Sequence, residues 1–189
     1  LDEIGQQHQV QILLAIESGS RAWGFASTDS DWDVRFIYAN RPQWYLSIHE
    51  YRDVIELPIE GELDINGWEL RKSLRLLYKG NPVLFEWLHS PIIYRQNSGI
   101  MDRYRTMAEP FFLPTTAMHH YLHMAKGNFR EYLHRDQVRL KKYFYVLRPV
   151  LAILWIENGW GQPPMLFTEL MERLVPPGNL RIEIEQLLE

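Results

Sequence analysis

The chain has 189 residues, 46% of them apolar and 13% aromatic, with seven tryptophans and a formal net charge of −4. At roughly 150 residues per domain this is one large domain or two small ones with material for a core, which excludes a collagen-like, disordered or disulfide-stapled chain. Cysteine is absent, so thiolate catalysis and cysteine-ligated metals are out, any metal must take oxygen or imidazole ligands, and a cytoplasmic location is expected.

In chain order, residues 9–16 read as a strand that turns fully apolar from Ile12 to Ile16, five residues and far short of a membrane span. Glu17-Ser18-Gly19-Ser20 punctuates it, and a short helix or turn follows. After the loop Ser27-Thr28-Asp29-Ser30, the stretch from Trp32 to Ala39 alternates as a second strand, with Trp32, Val34 and Phe36 on one face and Asp31, Asp33 and Arg35 on the other. Runs at 53–59 and 62–65 flank Glu60-Gly61 as a hairpin. A helix is expected over 68–79, closed by Gly80, and another from Asn81-Pro82 to about Leu88. Beyond about residue 95 the chain reads as helical, with Pro110, Pro114, Pro149, Pro163-Pro164 and Pro176-Pro177 as breakers. The expected architecture is α+β: a domain over 1–95 with a sheet, then a helical domain over 96–189. Leu1 is no initiator, so a trimmed N-terminus is expected.

The chemistry concentrates in Gly19-Ser20, ten residues, then Asp31-Trp32-Asp33-Val34. Aspartates at i and i+2 on a strand share a face with Cα atoms about 6.5 Å apart, close enough to converge on divalent ions ~3.5–4 Å apart. Phosphoryl and nucleotidyl transfer use such a pair, and magnesium, or manganese, suits these hard oxygen ligands. Gly19 would let the backbone approach a phosphate, Ser20 offers a hydroxyl, and a helix starting there would aim N–H groups at the anion. The bland alternative is a turn leading into a strand with a solvated face.

Strand, Gly-Ser, a ten-residue gap and Asp-x-Asp together resemble the DNA polymerase β-like nucleotidyltransferase superfamily. The fuller runs from Glu17 to Ser27 and from Ser30 to Tyr38 resemble, within it, the RNA-ligase-associated family of bacterial RNA repair operons. So do 64–72, Asn81-Pro82 through Glu86-Trp87-Leu88, Lys141-Lys142-Tyr143-Phe144-Tyr145 and Leu147-Arg148-Pro149. The resemblance implies a polymerase β-like catalytic domain, transfer of a nucleoside monophosphate from a nucleoside triphosphate to a hydroxyl, and an RNA end as acceptor. It also implies a chain that can continue past Glu189. Asp31 and Asp33 would hold the metal ions, and Gly19, Ser20 and Arg21 would hold the nucleotide. The resemblance places the third carboxylate at Asp64. The residues alone leave Glu56 and Glu62 open as competitors from the same hairpin.

Among the bases, Lys72 follows the acidic strand and is a candidate for the triphosphate. Arg71, Arg75 and Lys79 form a stripe, of which Arg75 and Lys79 read as a solvated face. From Lys126 to Arg148, seven bases oppose two acids, interleaved with Phe129, Tyr132, Tyr143, Phe144 and Tyr145, a composition that gives phosphates a charge and bases a stacking surface. Lys141 and Lys142 are the candidates there, and Lys141 shares a helix face with Arg148. His119 and His123 have helical chelating spacing, but no glutamate follows and no third ligand is evident. Residues and resemblance together point to a metal-dependent nucleotidyltransferase acting with a nucleoside triphosphate; the resemblance implies RNA as acceptor, while the net charge of −4 keeps a small-molecule or protein acceptor open. The alternative to an enzyme is a non-catalytic nucleotide sensor or antitoxin-like partner that keeps the fold.

Overall fold

The computed structural model describes every residue except Arg135, Asp136 and Glu189; the part of the basic run that falls on Arg135 and Asp136 lies outside the described residues. Helix α1 (Asp2–His8) leads into β1 (Gln11–Glu17), the one-turn α2 (Gly19–Trp23) and β2 (Trp32–Ala39). After α3 (Pro42–Tyr45) come β3 (Val54–Glu56), β4 (Leu63–Glu69), α4 (Leu70–Tyr78), α5 (Pro82–Leu88), β5 (Ile93–Gln96) and α6 (Ser98–Ala108). The remainder is α7 (Pro114–Tyr132), α8 (Lys141–Glu157), α9 (Phe167–Leu174) and α10 (Asn179–Leu188). The sheet is mixed, in the order β3-β4-β2-β1-β5, with β2 and β4 parallel and the other neighbours antiparallel. This is the expected α+β arrangement of a sheet followed by helices. No helix among the described residues is long and apolar enough to cross a membrane.

The apolar centre of β1 is explained by its position between β2 and β5, where Leu13 to Ile16 are almost wholly buried. One sheet face carries Leu14, Ile16 and Ile37 against α4, α5 and α6, with Trp68 stacked on Trp87 at 3.7 Å between ring centroids. The other carries Ala15, Phe36, Tyr38 and Ile55 beneath Ile4 of α1. Because Met101, Tyr104 and Ala108 belong to the first of these cores, α6 packs with the sheet, and the change of core falls after it rather than near residue 95.

Strand β4 runs four residues further than its sequence suggests. Gly67 does not end it, because the Phe36 ring lies across it from β2: a Cβ there would sit 2.2 Å from Phe36 carbon atoms. The hairpin turn is Gly61-Glu62, with Glu60 and Leu63 exchanging both main-chain hydrogen bonds and Gly61 at φ +62°. Helix α4 therefore starts at Leu70, capped by the buried Glu69 carboxylate, which accepts from the Arg71 and Lys72 N–H groups.

Pro149 does not break its helix. It lies inside α8, where its missing N–H leaves the Tyr145 carbonyl without an intrahelical donor. Asn128 of α7 supplies one through its side-chain amide at 3.0 Å. The helical part docks on the sheet part twice. Ala22, Trp23 and Phe25 share a core with Phe144 and Leu151 of α8 and Phe167, Leu170 and Met171 of α9. Deeper in, Arg148 of α8, 1% exposed, donates to Glu86 of α5 at 3.0 Å. Its guanidinium also lies 4.4 Å from the Trp23 ring centroid. Glu86 in addition accepts from the Tyr121 hydroxyl of α7. Arg148 thus turns to the sheet part on the face it shares with Lys141, but with its guanidinium inside the protein.

Candidate functional site

The carboxylates gather where β2 and β4 begin. In the parallel pairing Trp32 faces Leu63, and Asp33 faces Asp64, so the two aspartates sit side by side on one face of neighbouring strands. Glu56 is exposed on β3, bonded to Arg52 and Asn66, and Glu62 is exposed in the turn with its carbonyl accepting from the Trp32 N–H. Of the three sequence candidates only Asp64 reaches Asp33. Asp31 precedes β2 and is exposed, and its charge acts on Asp33 and Lys141.

Asp33 is held by its surroundings. Burial pushes its carboxyl above the usual aspartate range, the Asp64 and Asp31 charges add to that, and Arg35 opposes it. The Asp33 N–H donates to Oε1 of Glu17, a fully buried residue whose Oε2 accepts from the Tyr94 hydroxyl at 2.5 Å. Gly19, at φ +60°, has a more immediate reason to be glycine than phosphate approach: a Cβ there would lie 2.2 Å from Asp33 Oδ2. Arg35 donates to both carboxylates, at 2.9 Å to Asp33 Oδ1 and 2.7 Å to Asp64 Oδ2.

Opposite stands the N-terminal part of α8. The Lys141 ammonium donates to the Ser30 hydroxyl at 2.5 Å, and Ser30 in turn bonds Ser20. Burial holds Lys141 below the ordinary lysine range, partly offset by Asp29 and Asp31. Burial pushes the Tyr145 hydroxyl, one turn on, above the ordinary tyrosine range, with Ser20 opposing and the charges of Asp33, Asp31 and Asp29 adding to the rise. Lys142 lies over the rings of Tyr132 and Tyr145, 3.9 and 4.8 Å from their centroids. It lines an open cavity of about 540 Å³ with Tyr132, Gln137, Val138 and Arg139.

The site therefore brings together Gly19, Ser20, Asp31, Asp33, Asp64 and Lys141, with Lys142 beside them. Arg21 is present, but its Nε and Nη2 are committed to the carbonyls of Asp31 and Ser30 and its guanidinium lies 3.8 Å over Trp32, so it braces the loop that carries Asp31. Lys72 does not reach the site. It pairs with Asp53 beyond the far end of β4, and the five residue steps from Asp64 to Glu69 span about 16 Å of strand. Sequence reasoning missed Glu17 and Arg35, and read Tyr145 as a stacking ring rather than a neighbour of the carboxylates. The one available signal was a glutamate ending an apolar strand directly before Ser-Gly-Ser.

Among the described residues no three His, Asp or Glu side chains surround a common point as metal ligands. Asp33 and Asp64 turn to Arg35 instead. The donor chemistry still fits a hard divalent cation, with two half-buried carboxylates in register and a third two residues upstream. His120 is partly buried, with its Nε2 atom enclosed and unpartnered and its pKa lowered by burial.

The family model described as the RNA repair pathway DNA polymerase beta family matches residues 1–189. A Bacillus subtilis (strain 168) protein named "Uncharacterized protein YcgL" is 52% identical over 189 residues, covering all of this chain and 73% of that one. A nucleotidyltransferase-like protein from Exiguobacterium sibiricum 255-15, known from its crystal structure, aligns over 98% of this chain and 69% of its own at 12% identity and a TM-score of 0.35.

Proposed function

Because the chain belongs to the RNA repair pathway DNA polymerase beta family, we propose that it is a metal-dependent nucleotidyltransferase that moves a nucleoside monophosphate from a nucleoside triphosphate to the hydroxyl of an RNA end. The observation that carries this reading is the in-register pair Asp33 and Asp64, with Asp31 beside it, facing Lys141 and Tyr145 of α8 across the Ser20–Ser30 hydroxyls. Acid on one wall and base on the other is what a triphosphate with its cations requires.

Asp31, Asp33 and Asp64 would hold Mg2+ or Mn2+. When bound, such cations stabilise the charge on the triphosphate and leaving pyrophosphate and make the attacking hydroxyl more acidic. The protein's own groups do the rest. Glu17 fixes the Asp33 main chain, and Gly19 leaves room for its carboxylate. Ser20 and Lys141 bind phosphate oxygens, and Lys141 supplies the charge. Asp64 takes the proton of the acceptor hydroxyl. Lys142 and the cavity with Tyr132 and Arg139 offer charge and a ring face to the RNA.

The test is incubation of the full chain with each of the four α-labelled triphosphates, with and without RNA, in magnesium and in manganese. Label transferred to RNA with release of pyrophosphate supports the reading. Nucleotide binding without turnover under every condition replaces it with a non-catalytic nucleotide sensor.

A further inference from the structure

The group most densely bonded at the carboxylate rim is itself a cation. Arg35 Nη1 donates to the main-chain carbonyls of Asp64 at 2.9 Å and Val34 at 3.2 Å, while Nη2 donates to Asp33 Oδ1 and Asp64 Oδ2. Its side chain is 18% exposed, against 28% and 34% for the two aspartates. The guanidinium is thus anchored by one nitrogen to the backbone of β2 and β4 and offers the other to both carboxylates.

The remaining bases nearby are otherwise engaged: Lys141 with Ser30, Arg21 with the loop, and Lys72 with Asp53 at the far end of β4. Without Arg35, two half-buried carboxylates in register would face each other with Asp31 beside them and no other cation within bonding distance of the pair in the described contacts. Two anions so placed repel strongly unless a positive charge lies between them.

We infer that Arg35 is a built-in counter-ion that competes with the divalent cation for Asp33 and Asp64. In the metal-free protein it holds the carboxylates at fixed spacing. Entry of the metal requires Nη2 to give up both oxygens, while the two Nη1 bonds to main-chain carbonyls keep the side chain in place for its return. The inference rests on the metal-dependent reading above and adds a cost to metal binding that the carboxylates alone would not impose. A guanidinium that only braced the two strands would act in the opposite sense, since its loss would loosen the carboxylates and weaken the site.

The experiment titrates Mn2+ alone, without nucleotide, into the full chain as wild type, Arg35→Met and Arg35→Lys, reading free Mn2+ by electron paramagnetic resonance and thermal unfolding alongside. Arg35→Met should bind Mn2+ at least tenfold more tightly than wild type. Its melting temperature should be lower without metal and recover at saturation, and adding Asp33→Asn should remove the gain in affinity. Arg35→Lys keeps the charge but cannot span both carboxylates, so it should fall between the two and serves if the methionine variant does not fold. Equal or weaker Mn2+ binding by a folded variant overturns the inference and leaves the metal-dependent reading standing. Absence of Mn2+ binding in wild type and both variants overturns the two together.

Discussion

Among the arginines that pair with carboxylates in the described residues, Arg148 and Arg35 do so under opposite conditions of access. Arg148 and Glu86 are sealed between α5 and α8, with side chains 1% and 7% exposed; the Tyr121 hydroxyl donates to the same Glu86 Oε1 that Arg148 binds, and Arg148 Nε donates to the Met165 carbonyl. Arg35 with Asp33 and Asp64 sits at the open ends of two strands. A sealed pair cannot exchange partners without unfolding its surroundings, so its consequence is positional: it fixes α8 against the sheet and thereby brings Lys141 to Ser30 seven residues earlier on the same helix. A pair at the rim can trade one cation for another. The same chemistry is architecture in one place and a site in the other, and solvent access decides which.

The contrast can be broken most heavily at its sealed end. Glu86→Ala or Arg148→Met leaves one buried charge uncompensated, which costs about 3–5 kcal/mol. The double variant Glu86→Leu with Arg148→Met should regain most of that loss. Denaturant unfolding reads both, and a single-variant loss below about 1 kcal/mol would remove the pair from its docking role.

A smaller effect is expected at Gly19. Valine there must adopt φ +60°, at a cost of about 1–2 kcal/mol, and its Cβ would take the place of Asp33 Oδ2. The folded variant should lose most of its divalent-cation affinity in a calorimetric titration, with Gly19→Ala close behind because the clash is with Cβ itself. Unchanged affinity would show that the Asp33 carboxylate has another seat.

The smallest effect is a pH dependence at Lys141. Burial favours its neutral form, so its proton leaves at lower pH than the ordinary lysine value of about 10.4. Triphosphate affinity should therefore begin to fall with rising pH below that range. In Lys141→Met the alkaline limb should be absent and affinity low throughout. For stability the sign reverses: the charged lysine costs the folded state, and that cost is relieved as pH rises through its lowered value. A limb that persists in the methionine variant would belong to another group.

What was legible in the sequence was local. The alternation from Trp32 to Ala39 has the bounds of β2, and Asn81-Pro82 caps α5 as its residue types require, the Asn81 side chain accepting from the Leu84 N–H. The failures share a cause, a neighbour distant in sequence. The second strand of the hairpin reads as ending at Ile65 until Phe36 is laid across Gly67. Lys72 reads as close to the acidic strand until β4 is extended by four residues and carries it away. Pro149 reads as a helix end until Asn128 takes the orphaned carbonyl. Within the site, Asp33 and Gly19 were visible from spacing, although the spacing gave no hint that the Asp33 carboxylate lies where a Cβ at Gly19 would be. Arg35 looked like one more polar residue on an alternating strand because Asp64 lies 29 positions away, and Tyr145 looked like one of several stacking rings because Ser20 lies on a different element.

The claim that the Asp33–Asp64 rim performs nucleotidyl transfer is tested most directly by pyrophosphate release from nucleoside triphosphate and RNA in Mg2+, comparing wild type with Asp33→Asn. Turnover by the wild type should fall about a thousandfold or more in the variant, the equivalent of several kcal/mol of lost transition-state stabilisation. The variant should remain folded without loss of stability, because burial and the Asp64 and Asp31 charges already favour the uncharged form of Asp33. Near wild-type turnover in the folded variant, or none in the wild type with any triphosphate, would contradict it.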